Sequence, residues 1–418
     1  MSQVDVLIVG GGAAGIAAAR RLSQSHLSFH ILEAGDRLGG RAFTRTLAGL
    51  PLDLGCFWLH SSDRNPWAKL AETMGIAIDR TPPTWRTQFA DLGFTAAEQK
   101  AAAEAFAAFD KRLRDAPPAS DRAADALEPG NRWNCYLEAL SGFINGAELG
   151  QLSVADYLAY RDGDSEVNWR LPGGYGTLIA AAAQDLPATL EAPVTRIERG
   201  GALLVAHTPQ GEMEGRAAII AVPTPVLARE QLRFDPPLPT KVEAAAALPL
   251  GLANKAFLGL DRPEPFEPDS QLIGDPASAE TGSYYLRPFG RPLIECFFGG
   301  AGARGLEAEG EGAAVDFAVQ QLVGLIGSSI RRRLSPLAET RWGAEAAVLG
   351  AYSHALPGLA AARAALAAPV ENRIFFAGEA CSKADFSTAH GAHESGVTAA
   401  EAALAAFGEI QAGEEDEG

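Results

Sequence analysis

Residues 4–22, VDVLIVGGGAAGIAAARRL, decide the fold. Val4–Val9 is a β-branched apolar run of strand type, three glycines follow, and an alanine-rich helix begins at once. Gly10, Gly12 and Gly15 carry the spacing G-x-G-x-x-G. Gly10 permits the tight turn, Gly12 lets backbone approach a pyrophosphate, and Gly15 lets helix and strand pack closely. The helix start at Ala13 and Ala14 offers free N–H groups and a positive dipole end to phosphate. A second strand, SFHILEAG, ends at Glu33, 18 residues past Gly15 and placed to accept from ribose hydroxyls. This order predicts a dinucleotide-binding βαβ unit and a parallel sheet. NAD and FAD both use such a unit.

Outward from that unit, the 418 residues exceed what one core holds, so two or three domains are expected. Residues 80–165 are mostly helical by pattern, with breaks at APPAS and LEPGNRW. Within them SVADYLAY opens with a Ser153-x-x-Asp156 capping box. A further sheet-forming stretch runs from TRIERGGALLVAHT to GRAAIIAVPTPVL. FDPPLPT (234–240) reads as a crossing between domains. Strands follow at LPLGLANKAFLGL, SYYLRP and PLIECFFGG, then a helix across 311–333. RIFFAGEA and the helical HGAHESGVTAAEAALAAF return strand-and-helix material of the first type, which predicts a discontinuous nucleotide domain.

The fold class expected is therefore α/β, a Rossmann-type domain with a second α+β domain. The cofactor domain would take 1–79, 169–238 and 346–412. The substrate domain would take 80–168 and 239–345, with 413–418 an unstructured acidic tail.

With 35 Lys and Arg against 52 Asp and Glu, the net charge is −17. That argues against a general nucleic-acid surface and favours cationic ligands. Cys56, Cys135, Cys296 and Cys381 follow no metal-ligand spacing and read as reduced thiols of a cytoplasmic protein. No apolar run approaches membrane-spanning length, and no basic-then-apolar leader precedes Val4. His390 and His393 lie three apart on a helix start without a further ligand, so no metal site is expected.

Two further stretches carry chemistry. In EAGDRLGGRAFT, Arg37 and Arg41 bracket Gly39 and Gly40, which suggests cationic contacts to phosphate beside a second close backbone approach. In LPLGLANKAFLGL (248–260) Lys255 is the only charge. Alternation puts Lys255, Phe257 and Gly259 on one face and Asn254, Ala256, Leu258 and Leu260 on the other. An ammonium there is either a rim lysine snorkelling off an edge strand or a buried group facing a pocket.

Seven separated blocks, in order, resemble the flavin-containing amine oxidase family. They are EAGDRLGGRAFT, LDLGCFWLH (52–60), LPGGYGTL (171–178), APVTRIE, FDPPLP with LPLGLANKAFL, FFAGEA, and STAHGAHESGVTAA. The resemblance implies FAD, with Glu33 and Ala34 at the adenosine ribose and Val194 meeting the adenine through its backbone. It sets Gly378 and Glu379 near the pyrophosphate and ribityl chain, and Thr388 and Ala389 at the helix start beneath the flavin ring. Lys255 takes the place of the family's lysine that holds a water at flavin N5. The chemistry implied is hydride transfer from the carbon beside an amine nitrogen, hydrolysis of the resulting imine, and passage of electrons to dioxygen to give hydrogen peroxide.

Departures refine this picture. GAYS (350–353) is similar to the monoamine oxidase segment whose cysteine bonds the flavin. Here Ala351 stands in its place, so FAD is expected to be non-covalent. Tyr352 keeps one wall of the family's aromatic pair, and Thr388 replaces the other, as in the polyamine oxidase branch. Trp342 sits where the family places a tryptophan near the ring, and His60 resembles the histidine near the active-site entrance. Both are also read as core or loop residues on their own pattern. The function expected is an oxidase of a primary or secondary amine, with polyamines favoured. The alternatives are a desaturase or isomerase of the same fold, a flavin-binding protein without turnover, and an L-amino-acid oxidase, which would need an arginine such as Arg86, Arg170 or Arg287 for the carboxylate.

Overall fold

The computed structural model describes residues 2–408, so the acidic tail expected at 413–418, like 409–412, lies outside the described residues. The first strand forms over Ser2–Val9, with Val6, Leu7 and Ile8 fully buried on alternate faces. An apolar run buried on both faces suits the centre of a parallel sheet. Phe29–Leu32 pairs with it in parallel on one side and Gly211–Ile220 on the other. Ala188–Thr189 extends the sheet beyond Phe29–Leu32, and Ile374–Phe376 pairs in parallel with Gly211–Ile220. The antiparallel strands Leu204–Thr208 and Arg196–Glu198, and then Arg233–Asp235, complete the other side. The stretch 196–220 thus joins the sheet of the first strand.

Alanines decide how this sheet is covered. Helix Ala13–Leu22 and the last helix, Ala389–Ala406, pack together on one face through Ala14, Ala18, Ala399, Ala400 and Ala403. Small side chains let the two backbones approach closely: a Cβ on Gly396 would stand 2.1 Å from the carbonyl oxygen of Ala14. The opposite face packs on helices Pro239–Ala246 and Ala362–Ala367 through Leu7, Val9, Leu248 and Leu366.

A second, antiparallel sheet runs in the order Ser270–Ile273, Ser283–Leu286, Leu293–Gly299, Ala253–Leu260, Leu334–Glu339. The lysine strand therefore lies inside the sheet, flanked on both sides, which removes the edge-strand reading. Its alternation is as expected. Ala256, Leu258 and Leu260 enter a core with Tyr284, Ile294, Phe298 and the helix Ala313–Ile326, while Phe257 packs on Leu52, Leu54 and Leu293. That helix stops short of 333: Gly327, at φ +105, breaks it, and Ser328–Arg333 is a separate short 3-10 turn.

Three longer helices, Ala96–Asp115, Asn134–Asn145 and Val154–Gly163, fill most of the expected helical region. Thr95 and Glu98 close a full capping box on the first of these. At the third only half a box forms. The Ser153 hydroxyl accepts from the Asp156 N–H at 3.2 Å, but the Asp156 carboxylate turns inward to Arg363. An aspartate is one methylene shorter than the glutamate a box uses, and the buried guanidinium offers it a stronger partner.

Candidate active site

The two sheets face a cavity of about 1600 Å³. That exceeds the roughly 300–1,000 Å³ of a pocket for one drug-sized ligand. One end is built by the glycine turn. A Cβ at Gly10, which has φ +102, would stand 2.6 Å from the Ala221 carbonyl oxygen, and one at Gly15 would stand 2.0 Å from the Gly10 carbonyl oxygen. A Cβ at Gly12 meets nothing within 4 Å, because it points into the cavity. Gly12 is the N-cap of helix Ala13–Leu22 and supplies no side-chain cap, so the first-turn N–H groups are left for a ligand. An open cradle lined by uncapped donors fits the pyrophosphate of a dinucleotide.

The neighbouring residues fall around this cradle. Gly10, Ala13, Ala14, Ala34, Gly39, Gly40, Val194, Gly378 and Ala389 line the same cavity. Glu33 lines it too, with Oε2 accepting from the Gly11 N–H at 2.6 Å and Oε1 from the Gly35 N–H at 2.7 Å. Gly39 donates its N–H to the Gly11 carbonyl, so the second glycine pair buttresses the first turn. Gly15 serves helix–strand packing and does not reach the cavity wall.

Arg37 departs from expectation. Its guanidinium donates to the Gly40 carbonyl at 2.8 Å and lies 3.7 Å from the centroid of the Phe43 ring, outside the cavity lining. The sharp Gly39–Gly40 turn puts three carbonyls within its reach, so Arg37 braces that turn from behind. Arg41 does line the cavity. It donates to the Ala351 carbonyl and pairs with Glu379 at 2.9 Å. Glu379 is buried, which opposes its charge. Arg41, the Ser353 hydroxyl, Arg363 and the Ser387 N–H together hold it below the usual carboxylate range.

The other end of the cavity rests on one face of the antiparallel sheet. Gln271 and Ile273, Ser283 and Tyr285, Glu295 and Phe297, and Ala253 and Lys255 alternate onto it along four neighbouring strands. Lys255 is 6% exposed. Its Nζ donates to the Asp53 carbonyl at 2.9 Å and pairs with Glu295 Oε1 at 2.8 Å. The Asp53 carboxyl points away, accepting from the Tyr175 and Gly176 N–H groups at a helix start. Burial pushes it up to about 6 despite those bonds and the nearby lysine.

Four remaining candidates complete the walls. Trp342 lines the cavity with Nε1 donating to the Leu54 carbonyl at 3.1 Å. Tyr352 lines it with Oη donating to the Phe143 carbonyl at 2.6 Å, and burial raises its pKa. Thr388 caps the helix Ala389–Ala406, accepting from the Gly391 N–H at 3.0 Å and donating to Asp385. A second helix N-terminus therefore meets the cavity beside Thr388. His60 reaches it with Nδ1 2.6 Å from Asn168 Oδ1, and burial lowers its pKa.

Of the three arginines weighed for a carboxylate substrate, Arg170 and Arg287 lie outside the cavity lining and Arg86 lies on it. Arg170 is buried against Asp79 and Asp269, Arg287 donates to the Phe266 and Gly290 carbonyls, and Arg86 stands exposed in the loop at the cavity mouth. His390 pairs with Asp385, and His393 packs edge-on to Trp67. Among the described residues, no group of three or more His, Cys, Asp or Glu is arranged to hold a metal ion, and no helix is long and apolar enough to cross a membrane.

Sequence reasoning missed Glu295 and the aromatic cluster of Phe57, Trp58, Trp85 and Tyr285. Glu295 carried the same signal as Lys255, a lone charge in the apolar strand PLIECFFGG. The aromatic cluster is assembled from three distant segments and had no local signature.

Comparison with known proteins agrees with this geometry. Residues 86–404 match the family described as flavin containing amine oxidoreductase, and residues 8–73 match an NAD(P)-binding Rossmann-like domain. Polyamine oxidase 4 of Oryza sativa subsp. japonica is 30% identical over 442 residues, covering 96% of this chain and 88% of the relative. Polyamine oxidase 2 of Arabidopsis thaliana is 29% identical, covering 95% and 87%. Among solved structures, putrescine oxidase bound to putrescine has a TM-score of 0.78 at 19% identity, covering 96% of this chain and 99% of that one. Cyclohexylamine oxidase from Brevibacterium oxydans IH-35A has a TM-score of 0.75 at 22% identity, covering 97% and 99%.

Proposed function

We propose, for a chain that belongs to the flavin-containing amine oxidoreductase family and is an FAD-dependent amine oxidase, that its substrate is a primary or secondary amine of the polyamine class. The observation that carries this is the Lys255–Glu295 pair, whose charges cancel on the wall of the cavity. A buried ammonium stands on the floor of the cavity that also receives the open Gly12 cradle and the start of the last helix. The polyamine oxidases among its relatives support the substrate class, as does the net charge of −17.

Gly10, Gly12 and the first-turn N–H groups of Ala13–Leu22 would hold the FAD pyrophosphate, with Glu33 toward the ribose and Val194 toward the adenine. Bound there, FAD supplies the hydride acceptor and the route by which electrons pass to dioxygen, giving peroxide. The chain's own residues prepare the amine. Tyr352 and Thr388 bound the space around the reacting nitrogen, and Trp342 and Phe57 exclude water from it. Desolvation beside these aromatic walls lowers an amine's pKa, which favours the neutral form that can be oxidised. Lys255, held by Asp53 and Glu295, is placed to hold one water by its remaining N–H.

With Ala351 at the position of the flavin-bonding cysteine, the cofactor would be non-covalent. Cys56, Cys135, Cys296 and Cys381 are free thiols, which supports a reducing, cytoplasmic location. We read 80–168 and 239–345 as the part that selects substrate.

The test is an anaerobic panel of mono-, di- and polyamines and amino acids mixed with the flavin-loaded protein. Bleaching by amines, with peroxide formed on admitting air, is the expected result. Bleaching by a non-amine alkane or enone alone would overturn the reading.

A further inference from the structure

Glu295 is a buried carboxylate that cofactor binding does not require. It is 7% exposed and lies on the cavity floor, on the strand next to that of Lys255. Oε1 takes the Lys255 ammonium at 2.8 Å, and no donor among the described residues reaches Oε2. Because the side chain lines the cavity, this second oxygen is an acceptor left unspent by the protein there.

The charge balance gives that acceptor a purpose. Lys255 alone would leave a positive charge in a low-dielectric pocket and would repel an incoming ammonium. Glu295 cancels that charge and adds one lone-pair site. Aromatic faces beside it also suit a cation: Tyr285 stands opposite Glu295 in register, Phe57 lies against Tyr285, and the Phe57 ring centroid is 5.2 Å from the Lys255 Nζ. Of the other acids of the cavity, Glu33 is engaged by Gly11 and Gly35, Glu379 by Arg41 and Ser353, Asp110 by Tyr157 and Arg114, and Asp115 by Lys111, while Asp164 is only half-buried and Glu166 is exposed to solvent.

A carboxylate stabilises the charged form of a nitrogen it contacts. The nitrogen that is oxidised must be neutral, so Glu295 suits a nitrogen that stays charged. We propose that Glu295 Oε2 receives a second, non-reacting cationic nitrogen of the substrate, making Glu295 the residue that selects diamines and polyamines over monoamines. The inference rests on the amine oxidase reading and adds to it a specificity residue.

The test compares wild-type holoenzyme with Glu295→Gln, using butylamine, 1,4-diaminobutane and butylguanidinium, the last as a permanently charged probe of binding alone. Anaerobic flavin reduction gives apparent affinity and limiting rate for the two amines. Perturbation of the flavin absorbance gives the affinity of butylguanidinium. Wild type should favour the diamine over the monoamine. Glu295→Gln should weaken diamine and butylguanidinium binding about 10- to 100-fold, whereas butylamine, which loses only what Glu295 contributes through Lys255, should be affected several-fold less. If Glu295→Gln folds poorly, judged by bound FAD and melting, Glu295→Asp takes its place and should weaken both ligands to a lesser degree. Retained diamine preference and retained butylguanidinium affinity would overturn the proposal. Equal losses for monoamine and diamine would also overturn it, since Glu295 would then act only through Lys255. Failure of every amine to reduce wild-type flavin would sink the amine oxidase reading instead, with butylguanidinium binding still reporting on Glu295.

Discussion

Asp156 and Arg363, 207 positions apart, meet in the interior as a bidentate pair, Nε to Oδ1 at 2.5 Å and Nη2 to Oδ2 at 2.8 Å. Their side chains are 5% and 3% exposed. The same guanidinium donates to the Ser353 hydroxyl, which in turn donates to Glu379. The helix Val154–Gly163, the loop that carries Tyr352, and the wall of the cofactor cavity are thus tied through one buried network.

Arg363→Met should therefore cost about 3–5 kcal/mol in urea unfolding, because it leaves Asp156 buried without a counter-charge. Asp156→Leu combined with Arg363→Met should recover part of that loss. A single variant as stable as wild type would show that the pair carries no weight.

Gly12→Val and Gly15→Val separate cofactor binding from folding. At Gly12 the backbone has φ −76 and the new side chain meets only open cavity, so the apoprotein should melt as wild type does while bound FAD falls sharply. At Gly15 the Cβ would stand 2.0 Å from a carbonyl oxygen, so loss of soluble folded protein is expected. Flavin absorbance per mole of protein and far-UV circular dichroism give both answers.

Lys255→Met should keep FAD, since the lysine lies on the substrate-side sheet away from the glycine turn, and should slow flavin reduction or reoxidation at least about tenfold. Stopped-flow absorbance checks each half-reaction. Unchanged rates in both would leave Lys255 as a structural partner of Glu295.

His354 sets a pH dependence. It is 3% exposed, with neither ring nitrogen hydrogen-bonded to protein, and burial depresses its pKa to about 4. An unfolded histidine titrates near 6.5. Between those values the unfolded chain binds the extra proton, so stability is intact above about pH 6.5 and is lost as pH falls toward 4. His354→Leu should remove about 2 kcal/mol of the loss between pH 6.5 and 5, read as a smaller shift in the urea midpoint than in wild type. Equal shifts in the two proteins would refute this.

Acid precipitation of the holoenzyme should release its FAD into the supernatant, because Ala351 offers no sulfur for a thioether. Flavin that stays in the pellet would contradict non-covalent binding.

Much of the cofactor side was legible in the sequence because its requirements are local. A glycine turn needs particular glycines within six residues, and a parallel strand needs an unbroken apolar run. Those constraints marked Gly10, Gly12, Gly15 and Glu33 without any tertiary information. Arg37 was misread for the same reason: sequence distance placed it beside Gly39 and Gly40, but which side of that turn it occupies depends on Phe43 and on three carbonyls that only the folded turn brings together.

By itself, then, the sequence determined the nucleotide-binding unit, which residues of the Lys255 strand share a face, and the family, since short periodicities and close spacings express backbone geometry directly. Tertiary structure alone decided that Lys255 is buried inside a sheet, that Glu295 shares its face diagonally, and that Asp156 leaves its helix cap for Arg363. Each of these pairings joins groups tens to hundreds of residues apart. Their strength comes from desolvation on a shared interior surface, a quantity that no local pattern encodes.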